Sequence, residues 1–167
     1  SVCIPPCYVK LASDYLKGRV KVCTVIGFPN GNTTSECKAF ETKQAIENGA
    51  DEIDMVINIG WLKDQKYDLI LNEINKIKEN CFGKPLKVII ETCLLTDDEK
   101  IKMCEIVSRS NADFIKTSTG KIDVAATPEA AVVMCQAIKL FYEQTGRKVG
   151  FKAAGGVKTP QDAALYY

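Results

Sequence analysis

Short apolar runs rich in β-branched residues alternate with amphipathic helical stretches along the whole chain. The strand-like runs cover Ser1–Ile4, Val20–Ile26, Glu52–Ile57, Leu86–Glu91, Phe114–Thr117 and Val149–Ala153. They are apolar on both faces, as strands become when helices cover a sheet or a sheet closes on itself. Strands separated by single helices pair in parallel through right-handed crossovers, which confines the chain to an α/β fold. Two architectures remain: an open doubly wound sheet and a (β/α) barrel. A phosphate-type G-x-G-x-x-G after the first strand would favour the open sheet. None occurs, so the barrel leads. A full barrel takes eight strands and about 250 residues. This chain has 167 residues and about six strand–helix units, with no internal break or linker, so residues 1–167 read as one domain.

Helix boundaries are marked by capping chemistry. Tyr8–Leu16 reads as a helix ended by Gly18. Thr33 with Glu36 has the spacing of a capping box, opening a helix that stops at Gly49. Trp61–Asn80 contains a helix with Tyr67, Ile70, Leu71, Ile74 and Ile77 on one face. Thr96 and Glu99 form a second predicted box, with a helix to about Ser108. Thr127-Pro128 sets a cap and a proline at the first helical position. The stripe Ala130, Val133, Met134, Ala137, Ile138 and Phe141 follows, ended by Gly146. Thr159-Pro160 caps a last helix, predicted to be still running at Tyr167.

Composition narrows the chemistry. A net charge of +1 favours neither a nucleic-acid nor an anionic-membrane partner. No apolar run reaches the length of a membrane span, and the N-terminus lacks the layout of a signal peptide. There is no histidine, which removes the commonest general base, the commonest metal ligand and every Ser-His or Cys-His nucleophile. Acid–base work falls to Lys, Asp, Glu, Tyr or Cys. None of the eight cysteines forms a C-x-x-C pair, so zinc or thioredoxin-like chemistry is not expected. They read as reduced, and the compartment as cytosolic.

The stretch with the most chemistry is Asp113-Phe114-Ile115-Lys116-Thr117-Ser118-Thr119-Gly120-Lys121. Burying an ammonium is costly unless it loses its proton or finds a partner. A lysine that loses its proton is a nucleophile suited to a Schiff base. The alternative is a partly exposed lysine that snorkels from a strand end. Alternation sharpens the choice. Ile53, Met55 and Ile57 should meet the helices, which turns Asp54 and Val56 toward the barrel axis. Lys116 opposes Ile115 and Thr117, and Lys152 opposes Val149 and Phe151. Asp54, Lys116 and Lys152 can therefore share one interior. There a second ammonium would favour a neutral amine, and the carboxylate could relay protons. A buried Lys–Asp pair that only fixes packing is the competing reading. Gly120-Lys121 and Gly155-Gly156-Val157-Lys158 follow the two lysine strands. Glycines admit an anion close to backbone N–H groups, although a Gly-Gly pair alone is usually a turn.

These segments resemble the deoxyribose-phosphate aldolases, a Schiff-base-forming family with a TIM (β/α)8 barrel. The resemblance is carried by D-F-I-K-T-S-T-G-K at 113–121 and G-F-K-x-x-G-G-V at 150–157. Thr24–Gly31, Gly49–Val56 and Leu86–Glu91 extend it along the chain. It implies reversible cleavage of 2-deoxyribose 5-phosphate to acetaldehyde and glyceraldehyde 3-phosphate, in deoxyribonucleotide catabolism. Lys116 falls on the Schiff-base lysine, Lys152 on the second lysine and Asp54 on the proton-relay acid. Gly120, Lys121, Gly155 and Gly156 fall where the family holds the sugar phosphate. Cys3 falls on the wall of the substrate pocket, with plain core packing as its alternative. No metal or organic cofactor is implied. The implied partner is a small-molecule sugar phosphate, and the resemblance allows a homodimer. Relative to the family, the first strand with its helix and the eighth strand with its phosphate loop are expected to be missing, so the barrel is incomplete.

Overall fold

Six strands form one parallel sheet in strictly sequential order. The computed structural model describes residues 1–167. The strands are β1 (Val2–Ile4), β2 (Val22–Ile26), β3 (Glu52–Val56), β4 (Leu86–Ile89), β5 (Phe114–Lys116) and β6 (Gly150–Lys152). The helices are α1 (Val9–Leu16), α2 (Ser35–Glu47), α3 (Ile59–Lys63), α4 (Tyr67–Glu79), α5 (Asp97–Arg109), α6 (Pro128–Thr145) and α7 (Pro160–Ala164). A doubly wound sheet reverses its strand order at a switch point; this one never does, as in a barrel wall. The sheet also curls. If it were flat, β1 and β5 would lie about 19 Å apart at ordinary strand spacing. Instead Cys3 of β1 and Lys116 of β5 line the same cavity.

The two faces of the sheet divide as the period of two demands. Val22, Ile26, Ile53, Met55, Ile57, Leu86, Val88, Ile90, Ile115 and Val149 join the buried core that meets the helices. Ile70, Ile74 and Ile77 of α4 and Met134 and Ala137 of α6 reach that core from the other side. Each large side chain there contributes about 1.5–3 kcal/mol by leaving water. The opposite face carries Cys23, Asp54, Lys87 and Lys116, all buried. One charged pair sits in the helix layer: Lys38 of α2 and Glu73 of α4 are 2.8 Å apart and fully buried. The Lys38 ammonium also donates to the Val56 carbonyl (2.9 Å), tying both helices to the end of β3. No helix is long and apolar enough to cross a membrane.

Several boundaries differ from the sequence reading. The cap of α2 is Thr34, whose hydroxyl accepts from the Cys37 N–H, and not Thr33. The predicted box is absent, because the helix starts one residue later than it requires, and the Glu36 carboxylate meets the Lys76 ammonium. The Trp61–Asn80 region holds two helices, α3 and α4, parted where Gln65 turns left-handed (φ 57°). Strand β2 starts at Val22, two residues later than expected, and α7 stops at Ala164 before the chain does. The Thr96–Glu99 box forms as expected, and so do the Thr127-Pro128 start and the left-handed Gly146 end of α6.

Candidate active site

The floor of the site is a buried carboxylate shared by two lysines. Asp54 Oδ2 receives the Lys116 Nζ at 2.6 Å and Oδ1 receives the Lys87 Nζ at 2.8 Å. Asp54 is fully buried, and the lysine side chains are 9% and 6% exposed. Burial pushes the Asp54 carboxyl up, but the two ammonium groups outweigh it and hold the group below its ordinary range. Lys87 also reaches Glu52 (2.6 Å) and approaches the Cys23 sulfur (3.6 Å). Burial works against its charge, yet its carboxylate partners prevail and raise its pKa. Lys152 is the register partner of Lys116 on the neighbouring strand. In a parallel sheet such partners project to the same side, so the second lysine shares the face of the first.

Above this floor opens a cavity of about 540 Å³. Cys3, Lys116, Gly120, Lys121 and Gly155 all line it, with Ile4, Val25 and Phe28 giving apolar wall and Glu41 an acidic edge. Asp54 lies beneath Lys116, and Lys152 and Gly156 lie outside the lining. The two glycine loops meet at the rim. Gly120 and Gly155 both have positive φ (73° and 80°). A Cβ at Gly155 would stand 2.5 Å from the Ala125 methyl and 3.3 Å from Gly120 Cα, so a side chain there would force the loops apart.

Two participants escape the sequence reading. Lys87 looks like a strand-start lysine free to snorkel, and its partner is 33 residues away on another strand. Its parity was the available signal, because it opposes Leu86 and Val88 as Asp54 opposes Ile53 and Met55. Glu91 follows β4 in a left-handed conformation (φ 54°) that non-glycine residues seldom adopt. Its buried carboxylate accepts from the Thr119 N–H (3.2 Å) and the Thr119 hydroxyl. That hydroxyl in turn accepts from the Lys121 N–H (3.1 Å). Glu91 thereby fixes the loop that carries Gly120 and Lys121.

Metal chemistry fits the floor poorly. Cys3, Cys23 and Asp54 offer donor atoms within 4.8 Å of one another. A cation there would meet the Lys116 and Lys87 ammonium groups already seated on both Asp54 oxygens. The arrangement suits amine chemistry instead: a lysine at the base of a cavity, a carboxylate in contact with it, and backbone-rich basic loops at the mouth.

A family model described as DeoC/LacD family aldolase matches residues 1–165. The deoxyribose-phosphate aldolase of Clostridioides difficile is 60% identical over 166 residues, covering 99% of this chain and 73% of that protein. Among solved structures, the aldolase QR15 superposes with a TM-score of 0.91 at 36% identity, covering 99% of this chain and 72% of that one. The deoxyribose phosphate aldolase of Aeropyrum pernix, described as a tetramer, gives 0.86 at 29% identity, covering 98% and 67%.

Proposed function

The chain belongs to the DeoC/LacD family of aldolases, and we propose that it cleaves 2-deoxy-D-ribose 5-phosphate reversibly to acetaldehyde and D-glyceraldehyde 3-phosphate through a Schiff base on Lys116. The observation that carries this reading is the Lys116 amine at the foot of a cavity, 2.6 Å from a buried carboxylate.

Once Lys116 has given up a proton, its amine adds to the substrate aldehyde, and loss of water leaves an iminium. Asp54 is the group in contact with the amine, so it takes and returns the proton of that step. The iminium draws electrons from the C2–C3 bond as the C3 hydroxyl passes its proton to a water in the cavity. Glyceraldehyde 3-phosphate departs, and an enamine remains on the lysine. Protonation at C2 and hydrolysis release acetaldehyde and restore the amine. Electron demand is met by the iminium, so the reaction calls on no further cofactor. Lys152, beside Lys116 in register, supplies positive charge and a proton donor near the enamine. Lys87 holds the second oxygen of Asp54 and so orients the first. Gly120, Lys121, Gly155 and Gly156 take the phosphate with backbone N–H groups and one ammonium, as anion-binding loops do. Cys3 forms part of the wall along the sugar. We place the reaction in the cytosol, where eight free thiols stay reduced.

Borohydride added with acetaldehyde should trap an adduct on Lys116, read by peptide mass spectrometry. Lys116→Leu should abolish the adduct and lower turnover by about a thousandfold or more, a modest share of ordinary enzymic acceleration. An adduct on another lysine instead would overturn the assignment.

A further inference from the structure

Cys3 and Cys23 are register partners on β1 and β2, the two strands at one side of the cavity. Register partners in a parallel sheet project to the same face, at a strand spacing inside the Cα separation that a disulfide needs. Their sulfurs lie within 4.8 Å of one another. The pair is asymmetric. Cys3 is exposed and lines the cavity, whereas Cys23 is fully buried behind it. The Cys23 thiol also touches the machinery, at 3.2 Å from Asp54 Oδ1 and 3.6 Å from Lys87 Nζ.

We propose that Cys3 and Cys23 form an oxidation-sensitive dithiol, at which a hydroperoxide links β1 to β2 by a disulfide and disables the lysine site. The surroundings prepare the reaction. The neighbouring Cys23 side chain lowers Cys3 to about 7, against burial and Asp54, with the Lys116 and Lys87 charges helping. A thiolate is the attacking form of cysteine. The Cys3 thiolate attacks one peroxide oxygen, the O–O bond breaks, and the departing oxyanion takes a proton from water. Cys3 is then a sulfenic acid. The Cys23 sulfur attacks it, the S–S bond forms, and the S–O bond breaks. The hydroxide leaves as water with the Cys23 proton. Two electrons have passed from the sulfur pair to the peroxide. The disulfide takes the Cys23 sulfur from Asp54 and Lys87 and pulls Cys3 out of the cavity wall. Its effect on turnover rests on the aldolase reading, but the covalent link does not.

The test treats the protein with hydrogen peroxide and maps its peptides without reduction. The expected result is a Cys3–Cys23 linked peptide and a fall in sugar-phosphate cleavage on the order of tenfold or more, since small displacements at such sites cost that much. A reducing dithiol should restore activity. In Cys23→Ser, Cys3 should stop at the sulfenic acid and be trapped by dimedone. Failure of the linked peptide to form, while the exposed thiols Cys7 and Cys37 oxidise, would overturn the proposal. A linked peptide with unchanged cleavage would remove the coupling to the lysine site. If the protein cleaves no sugar phosphate even when reduced, the aldolase reading fails and the peptide map still decides the dithiol.

Discussion

Glu91 shows how a single side chain can organise a loop at a cavity mouth without lining the cavity itself. It gives up a favourable backbone conformation and points a buried carboxylate at Thr119. Hydrogen bonds to an ionised acceptor are roughly twice as strong as neutral ones. Glu91→Gln keeps the size and loses that advantage. The expected result is a rise in KM of about tenfold for the phosphorylated sugar with kcat little changed, the signature of lost uniform binding. Cleavage of unphosphorylated 2-deoxyribose should hardly move, because the loop then has no anion to hold. A fall in kcat at constant KM would mean that the loop acts on the chemistry and not on the phosphate.

At the scale of elements, the cap of α2 makes a clean discrimination. Thr34 accepts from Cys37 N–H, while the neighbouring Thr33 caps nothing. Thr34→Ala should cost about 1 kcal/mol in urea unfolding and Thr33→Ala much less. The sequence favours the wrong threonine, since Thr33 has Glu36 three residues on and Thr34 has Cys37. In the fold Glu36 pairs with Lys76 of α4, and the box it would have completed does not form. The faces of the strands are far more legible, because a one-residue slip would turn Asp54 into the helix layer and Ile53 and Met55 into the cavity. That is why Asp54, Lys116 and Lys152 can be assigned to one side from parity alone. Lys87 obeys the same rule but sits near Lys84 at a strand entrance, where lysines commonly reach solvent. The fate of Glu91 depends on a backbone turn that its residue type disfavours, and no local pattern announces that.

For the whole molecule, the buried charges set how stability responds to acid. Asp54 has a lower pKa folded than unfolded, so the native state binds fewer protons and stability rises with pH there. Its contribution is complete above the unfolded carboxyl value of about 3.9 and is lost as pH falls through the lower folded value. Asp54→Asn leaves two nearly buried ammonium groups without their shared partner. It should cost about 3–5 kcal/mol near neutral pH. The same variant should also flatten the pH dependence of unfolding below about pH 4, followed by circular dichroism. An unchanged acid slope would mean that the ion pairs do not persist in solution. Lys87 behaves in the opposite sense, its contribution fading only as pH climbs through its raised folded value. Because one carboxylate serves two cations, substitutions at positions 54, 87 and 116 will not add. Anyone evolving this catalyst toward bulkier aldehydes should treat that trio as a single epistatic block, inherited or replaced together, and seek variation in the apolar wall at Ile4, Val25 and Phe28.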